Sequence, residues 1–561
     1  MAEVRTAKGD ATSETTNWQV LVEGLEINQA AWNPQAESIL LPEACALIVR
    51  LHRELQPARQ ELLAARIGRQ QAWDAGGVPG YLKGEIAERA LGDWQIAPLN
   101  EDLLQRRVEI TGPINDTKMV INMLSRTATG DRADAAMLDF EDSMKPAWNN
   151  VLQGVENLIG AADGSLSFVK PAQGEEPKKL YQLDPEDMPL LMARCRGLHL
   201  EESNLRVDGQ PLAGGIMDLA LSVFHTAKVL MAQGKTPKYY VPKVESYLEA
   251  RWWNTLFTRL EEEMELPKST LRSTFLIETL PAAFQMEEIL FELRDHATGL
   301  NVGRWDKIFS DIKTLKGHED RVLADRASIS MNRPWMENYA KRLIKICHRH
   351  GAFAMGGMAA FTPGRTAERR EEQTQKVIDD KQFEFALGHD GCWVSHPYFI
   401  APAMSAFTRR NQLEVIPDID DQPELLPEAT PPLTLVGVRT NVRVGIAYMK
   451  GWNQDIGCVA WDDLMEDLAT LEISRAQTWQ WLHNAVMLDD GIEVTKELIQ
   501  QVFDEELKKI EEEIREFMLG FDEQTIEAEL GRYRKAKEDA CAIFTEEEFR
   551  PFLKMRSDLV Q

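Results

Sequence analysis

The sequence predicts an α/β fold, a TIM or (β/α)8 barrel, with a helical segment before the barrel and a helical domain after it. From about Arg107 to Ala401, short apolar runs alternate with helical stretches, which is typical of βα units in a parallel sheet. There are eight runs, as a closed barrel requires, and outside this region the apolar spacing is helical. The runs cover residues 108–111, 136–140, 166–169, 190–196, 239–242, 273–277, 352–355 and 392–394.

The region before the barrel is predicted to be mainly one helix. Between Pro42 and Trp73, apolar side chains recur every three or four residues, and Pro57 is expected to break the helix. Residues 1–17 are polar, and we predict that they are disordered.

The region after the barrel begins with an acidic, proline-rich linker. Prolines crowd the segment between Leu413 and Leu433, where neither a helix nor a central strand tolerates them. The predicted helices that follow cover residues 462–484, 494–519 and 523–540, with a last helix opened by a capping box of Thr545 and Glu548. The predicted domains are an N-terminal helical clasp at 1–100, the barrel at 101–410, the linker at 411–440 and a C-terminal helical domain at 441–561.

Composition excludes several classes of protein. The chain has 63 Lys and Arg against 90 Asp and Glu, a net charge of -27, so its field repels nucleic acid and anionic lipid. The six cysteines lie far apart, which argues against a disulfide framework or a zinc site. We find neither a secretion signal nor a membrane span. These features predict a cytoplasmic protein without nucleic-acid or membrane partners; they leave open whether it is a monomer or a homo-oligomer.

Charged residues follow the predicted strands one after another. Because the carboxyl ends of parallel strands meet on one face, ligands gather there. Each such residue alone is more often a solvated turn residue or an ion-pair partner, but their repetition favours a site. They are Asp139, Glu141, Asp142, Arg194, Arg196, His199, Lys243, Glu245, Glu278 and His396.

Two carboxylates form a candidate Mg²⁺ site. Glu278 and Asp306 end apolar segments, and between them Gly299 and Gly303 permit a tight loop whose N–H groups can face an anion. Two carboxylates with waters and a substrate oxygen are the usual protein share of such a site. Pairs of acids are common, so the residues alone leave this open.

Asp467 is a candidate general base. A helix over residues 462–484 places it on one face with Leu464 and Leu471, where desolvation raises a carboxyl pKa. The alternative is an acid at the edge of the apolar stripe, paired with a Lys or Arg.

One stretch makes the sequence recognisable. Residues 299–306, GLNVGRWD, preceded by Arg294-Asp-His296, closely resemble the signature of the malate synthase family in its shorter A-type form. Val302 and Lys307 depart from the family pattern, which has Cys and Tyr there. Further ordered matches are ITGP at 110–113, KMVIN at 118–122, DFEDS at 139–143, PKVES at 242–246, GGMAA at 356–360, GHDG at 388–391, LMED at 464–467 and EISR at 472–475.

The resemblance implies a TIM barrel enzyme of the glyoxylate cycle that condenses acetyl-CoA with glyoxylate and hydrolyses malyl-CoA to (S)-malate and CoA. It implies Glu278 and Asp306 as Mg²⁺ ligands, Asp467 as the base and Arg194 as the cation beside the enolate. The expected substrate-binding residues are Arg194, Gly303, Arg304, Trp305 and Asp306. The side chains expected to orient the metal waters and ligands are Asp139, Glu141, Asp142, Lys243 and Glu245.

Three alternatives remain at this point. A Mg²⁺-dependent lyase acting on malyl-CoA or a citryl-type thioester would share the two metal carboxylates. A related condensing enzyme could accept a larger acyl-CoA, since one methylene gives only about 1–3 kcal/mol of discrimination. A non-catalytic binding protein is disfavoured because Glu278, Asp306, Asp467 and Arg194 are all present.

Overall fold

The computed structural model describes residues 17–172 and 178–561. The prediction of a disordered start concerns residues that lie, except for Asn17, outside this described part of the chain.

Strands and helices alternate through the centre of the chain. The strands are β1 (Trp18–Val22), β2 (Leu25–Asn28), β3 (Val108–Pro113), β4 (Ala135–Asp139), β5 (Ser167–Lys170), β6 (Lys179–Gln182), β7 (Leu190–Arg194), β8 (Glu201–Val207), β9 (Gln210–Ala213), β10 (Lys238–Val241), β11 (Arg272–Ile277), β12 (Ala297–Val302), β13 (Phe353–Ala359), β14 (Gly391–Val394), β15 (Val459–Trp461) and β16 (Leu464–Glu466). The helices are α1 (Pro34–Ile39), α2 (Pro42–Asp74), α3 (Glu85–Ala90), α4 (Thr117–Met123), α5 (Trp148–Asp163), α6 (Gly214–Ala232), α7 (Tyr247–Glu263), α8 (Leu280–Ala283), α9 (Met286–Leu293), α10 (Trp305–Leu315), α11 (Pro334–Arg349), α12 (Ala367–Leu387), α13 (Ile400–Ala406), α14 (Leu435–Trp452), α15 (Leu468–His483), α16 (Lys496–Phe517) and α17 (Glu523–Phe544). Short 3-10 turns cover Gln29–Ala31, Glu101–Leu103, Glu319–Arg321, Arg326–Ser328 and Pro397–Phe399.

The predicted barrel is confirmed. Strands β10, β11, β12, β13, β14, β3, β4 and β7 close into a barrel in that order, and each described pairing within it is parallel. A layer of buried side chains from these strands, including Met137, Met192 and Leu276, fills its interior. The carboxyl ends of eight strands therefore meet at one mouth.

Two strand assignments from the sequence were wrong. The run at 166–169 belongs to β5, which pairs antiparallel with β6 in a separate two-stranded sheet. The eighth barrel strand is β12, which was not predicted because its Gly299 suggested a loop. A Cβ at Gly299 would lie 2.2 Å from the carbonyl oxygen of Phe353, so this glycine serves the close approach of β13.

The N-terminal region contains more than the predicted helix. Strands β1 and β2 form a four-stranded sheet with β8 and β9. The helix α2 is confirmed, but it runs unbroken through Pro57, so the predicted break was wrong. Its Leu51 and Leu55 are buried, and it packs against α6 and α7, so tertiary packing compensates for the hydrogen bond that proline removes.

The C-terminal helices α14 to α17 share a hydrophobic core of their own. Two predictions fail here. The helix expected from residue 462 begins at Leu468, because residues 459–466 form the hairpin of β15 and β16. Thr545 ends α17 rather than opening a last helix. Residues 407–434 run as turns and extended chain before α14 begins at Leu435, and the domain limits themselves stay predictions.

One helix within the described residues, α6, is long and apolar enough to cross a membrane by length and composition. It is mostly buried in the protein, where it packs against α5 and α2, as a core helix does.

Candidate active site

A cavity of about 60 Å³ lies at the barrel mouth, a volume that suits a few waters or a very small molecule. Its wall brings together residues that the sequence had singled out at widely separated positions. Those in the wall are Asp142, Arg194, Glu278, Gly303, Arg304, Trp305, Asp306 and Asp467. The cavity thus combines the ends of barrel strands with residues from the C-terminal helical region, which are Cys458, Met465, Asp467 and Ala469.

Asp139 fixes the guanidinium of Arg194. Arg194 donates from Nε and Nη2 to the two carboxylate oxygens at 2.6 and 2.5 Å. Asp139 also accepts from the Ser143 hydroxyl at 2.6 Å. Although burial opposes ionisation, Arg194 and these hydrogen bonds hold the pKa of Asp139 below its usual value. This leaves Arg194 Nη1 toward the cavity, 3.6 Å from Asp142 Oδ2.

Lys243 links the acidic residues of the mouth. Its Nζ lies 2.5 Å from Asp142 Oδ2, 3.2 Å from Glu141 Oε2 and 3.2 Å from Asp306 Oδ1. Its backbone N–H donates to Glu278 Oε1 at 2.9 Å. The residue has φ +53°, a left-handed conformation that is uncommon for a side chain of this kind. One strained lysine therefore contacts four carboxyls.

The carboxyls at the mouth are not fully satisfied by these cations. Glu278 and Asp306 are buried, and burial raises the pKa of Glu278 well above its usual value and that of Asp306 to about 6. Burial raises the pKa of Glu141 to about 8. Within the described residues, Asp142 Oδ1 and Glu141 Oε1 have no hydrogen-bond partner, and Asp306 Oδ1 has the Lys243 ammonium at 3.2 Å but no further one.

Carboxylates in the cavity wall, among them those of Asp142, Glu278 and Asp306, fit a hard divalent cation. Oxygen ligands are those that Mg²⁺ prefers, and two carboxylates with waters and a substrate suffice for it. In the two described ranges, no group of three or more His, Cys, Asp and Glu is arranged to hold a metal alone. The residues present therefore fit a cation held by Glu278 and Asp306 that completes its coordination from solvent or substrate.

Asp467 reaches the cavity in a way the sequence did not predict. It is the N-cap of α15 rather than part of a helical stripe, and its Oδ1 accepts from the Thr470 N–H at 3.2 Å. Burial, then Asp142 and Asp306, raise its pKa to about 8. The next backbone N–H, of Leu468, donates to the Asp142 carbonyl oxygen at 3.1 Å, which docks this turn onto the barrel.

The segment at the start of α10 forms another part of the cavity wall. Arg304 is the N-cap of this helix and Trp305 its first residue, so the N–H groups of the first turn have no acceptor within the helix. Two guanidinium groups lie near the Trp305 ring, that of Arg304 at 4.4 Å and that of Arg326 at 5.4 Å from its centre. A helix N-terminus of this kind suits a small carboxylate.

Several predicted residues lie away from the cavity. Glu245 faces a separate surface cavity, where it pairs with Lys313 at 2.9 Å and Arg69 at 3.3 Å. Arg196 is buried between Asp218 and Glu202, a structural ion pair.

The sequence reasoning missed other residues of the wall. Asn301 lies in the unrecognised strand β12; its Nδ2 donates to the Gly356 carbonyl at 3.1 Å, and its Oδ1 has no partner among the residues described. Trp393, from β14, lies under Arg194, with its ring centre 5.9 Å from the guanidinium. A polar residue inside an apolar run was the available signal for Asn301.

A second cavity of about 680 Å³ adjoins the first. The two share Met119, Ser395 and Met465, and the larger one continues past Arg126 and Tyr398. Its volume is in the range of sites for large organic ligands.

Three family models match consecutive parts of the chain. Family models described as malate synthase N-terminal domain, malate synthase TIM barrel domain and malate synthase C-terminal match residues 24–84, 190–425 and 433–557. A solved malate synthase from Haloferax volcanii, with magnesium and glyoxylate, is 13% identical and covers 78% of this chain and 99% of that one, with a TM-score of 0.40.

Relatives match over most of the chain. Malate synthase A of Escherichia coli is 44% identical over 493 residues, 86% of this chain and 90% of that protein. Malate synthase of Myxococcus xanthus is 43% identical over 492 residues, 86% and 88% of the two chains. That of Streptomyces clavuligerus is 39% identical over 540 residues, 93% and 95% of the two chains. With three consecutive family models and these identities, the chain belongs to the malate synthase family of enzymes.

Proposed function

We propose that the chain condenses acetyl-CoA with glyoxylate and hydrolyses the resulting thioester, giving malate and free coenzyme A. The observation that carries this proposal is the meeting of Glu278, Asp306, Arg194 and Asp467 around one buried cavity. Glu278 and Asp306 would hold Mg²⁺, which when bound supplies a Lewis acid that polarises a carbonyl group. The other roles follow from the side chains themselves.

Asp467 is proposed to remove a proton from the acetyl methyl group. A thioester methyl is a weak acid, so its base must be fixed and its product stabilised. Asp467 is held by the start of α15 and is desolvated, which strengthens it as a base. Arg194, fixed by Asp139, faces the oxygen on which the enolate charge develops. Such an oriented donor contributes roughly 3–4 kcal/mol.

The glyoxylate carboxylate is proposed to lie against the start of α10. The backbone N–H groups of Arg304, Trp305 and Asp306 belong to this helix end. The small cavity restricts this subsite to a very small acid. The enolate carbon then bonds to the aldehyde carbon as the π bond of that carbonyl opens, and its oxygen takes up one proton, which balances the proton removed from the methyl group. Water then adds to the thioester carbonyl and the C–S bond breaks, which leaves a carboxylate and a free thiol.

The larger adjoining cavity is proposed to receive coenzyme A. It adjoins the small cavity at Met119, Ser395 and Met465, and we propose that the thioester reaches Asp467 from there while the rest of coenzyme A lies in the larger cavity. A cytoplasmic location also stays a proposal; the six cysteines, all free thiols, are consistent with a reducing compartment.

Release of free thiol from acetyl-CoA tests the proposal. We expect release with a thiol reagent only when both glyoxylate and Mg²⁺ are present. A lyase would retain the thioester, so formation of malyl-CoA without free coenzyme A would contradict the proposal. Repeating the assay with propionyl-CoA measures how strictly the acyl group is selected.

A further inference from the structure

One tyrosine side chain links the two chain segments that carry the proposed metal ligands. Glu278 directly follows Ile277, the last residue of β11. Asp306 lies in the first turn of α10, three residues after Gly303, which follows β12. Ile277 and Val302 are the last paired residues of the two strands. Beyond that pair, the sheet no longer sets the spacing between the two ligand segments.

Beyond this pair, the side chain of Tyr339 from α11 connects the two segments. Its hydroxyl donates to the carbonyl oxygen of Ile277 and accepts from the N–H of Gly303 at 3.0 Å. The side chain is fully buried, and burial raises its pKa well above the usual value, so the hydroxyl keeps the proton that it donates. A single oxygen atom therefore bridges the residue before Glu278 to the loop before Asp306.

The loop packs directly on the first ligand. A Cβ at Gly303 would lie 2.7 Å from Cβ of Glu278, so no side chain separates the Gly303 backbone from Glu278. Any displacement of Gly303 therefore moves the start of α10 relative to Glu278.

The ring of Tyr339 is itself held by α10. Lys307 Nζ lies 5.6 Å from the ring centre and pairs with Asp311 at 2.5 Å, and all three residues are buried. The hydroxyl is thus held at a fixed position between the ligand segments.

We propose that Tyr339 is a positioning residue for the divalent cation: its hydroxyl sets the spacing between Glu278 and Asp306 and thereby the affinity for Mg²⁺. This inference rests on the proposed function, which makes these two carboxylates the ligands. Groups that orient metal ligands typically change metal affinity roughly 10–100-fold when they are lost.

Calorimetric titration of Mg²⁺ into the metal-free full chain tests the inference. Tyr339→Phe removes one oxygen, and we expect its Mg²⁺ affinity to fall at least about tenfold. Its turnover at saturating Mg²⁺ should return to within about threefold of the unaltered chain, because the hydroxyl acts through the ligands. The control is Tyr448→Phe. Tyr448 is also buried, and its hydroxyl donates to the Gly457 carbonyl oxygen at 3.1 Å. The Mg²⁺ affinity of this variant should not change.

The outcomes separate this inference from the proposed function. If Glu278→Gln loses Mg²⁺ binding while Tyr339→Phe keeps full affinity, the inference alone is overturned. If Glu278→Gln binds as the unaltered chain does, the metal site and the inference both fall. Should Tyr339→Phe fold too weakly for calorimetry, the rise of its unfolding midpoint with Mg²⁺ concentration gives the same comparison, because this rise depends on the ratio of that concentration to the dissociation constant.

Discussion

The barrel buries two groups of charges, one among its strands and one at its mouth, and they differ in how completely they are hydrogen-bonded. In the inner group, Arg106 donates to Glu109 at 2.7 Å, to Tyr240 and Thr274 at 2.9 Å, and to Thr298 at 3.1 Å. The second carboxylate oxygen of Glu109 accepts hydrogen bonds from the Tyr240 hydroxyl and the Trp393 indole N–H. Among the described residues, neither Arg106 nor Glu109 has a buried side-chain nitrogen or oxygen that lacks a hydrogen-bond partner.

The charged group at the mouth is buried to a similar degree, but its hydrogen bonding is incomplete. Within the described chain, Asp142 and Glu141 each keep one oxygen without a hydrogen-bond partner. An unpaired buried oxygen destabilises a fold, so its presence suggests that a ligand supplies the missing contact. Burial of charge alone therefore does not distinguish the two groups, whereas the unpaired oxygens at the mouth do.

The largest expected effect concerns the mouth. Asp467→Asn should lower turnover by about 10²–10⁴-fold, because the amide cannot accept the methyl proton. Asparagine caps helices as well as aspartate does, so stability should hardly change. Thiol release measures the rate. Asp522→Asn, at the exposed N-cap of α17, is the matched control and should remain active. Retention of more than a tenth of the rate by Asp467→Asn would contradict its role as base.

The inner group should show the opposite response. Arg106→Met leaves Glu109 buried without its charge partner, which should lower the free energy of unfolding by about 3–5 kcal/mol. Urea unfolding measures this change, and Mg²⁺ affinity should stay the same. The adjacent control, Arg107→Met, removes a partly exposed pair with Asp134 and should cost about 1 kcal/mol. If both variants lost the same free energy of unfolding, the prediction would be contradicted, because full burial of the inner pair would then make no difference to stability.

The smallest effect is a pH dependence at the mouth. Burial raises the pKa of Glu141 to about 8 despite Lys243, and Asp142 adds to the rise. The folded chain therefore binds this proton more tightly than the unfolded chain, and the resulting stability is lost as pH rises from about 5 through about 8. In metal-free protein, the free energy of unfolding should fall by about 1–3 kcal/mol less between pH 6 and pH 9 in Glu141→Gln than in the unaltered chain. Urea unfolding at each pH measures this difference. The exposed Glu497→Gln should leave the pH profile unchanged.

Much of the architecture could be predicted because it follows from local patterns. The runs of β3, β4, β7, β10 and β11, and the long helices α2, α16 and α17, follow apolar spacing. The convergence of Arg194 and Glu278 followed from the geometry of parallel strands, since each lies at or just past a predicted strand end, whereas Asp306 follows β12, which was not predicted.

The failures have a common physical cause, which is contact with distant chain. Gly299 looked like a loop residue, yet its strand needs glycine because the Phe353 carbonyl lies close. Asp467 looked like a helix-face residue, yet the β15–β16 hairpin precedes it and α15 begins after it. Thr470, three residues later, was the one local sign of a cap, since its hydroxyl accepts from the Asp467 N–H at 3.0 Å.

The place of Asp467 along the chain also orders events during synthesis. The barrel, with Glu278 and Asp306, leaves the ribosome before α15 does, and domains fold largely in order of synthesis. Under the proposed roles, a nascent chain passes through a stage that holds the groups for a metal and a small acid but lacks the base. The ability to bind would then precede the ability to react, and only the finished chain would turn substrate over.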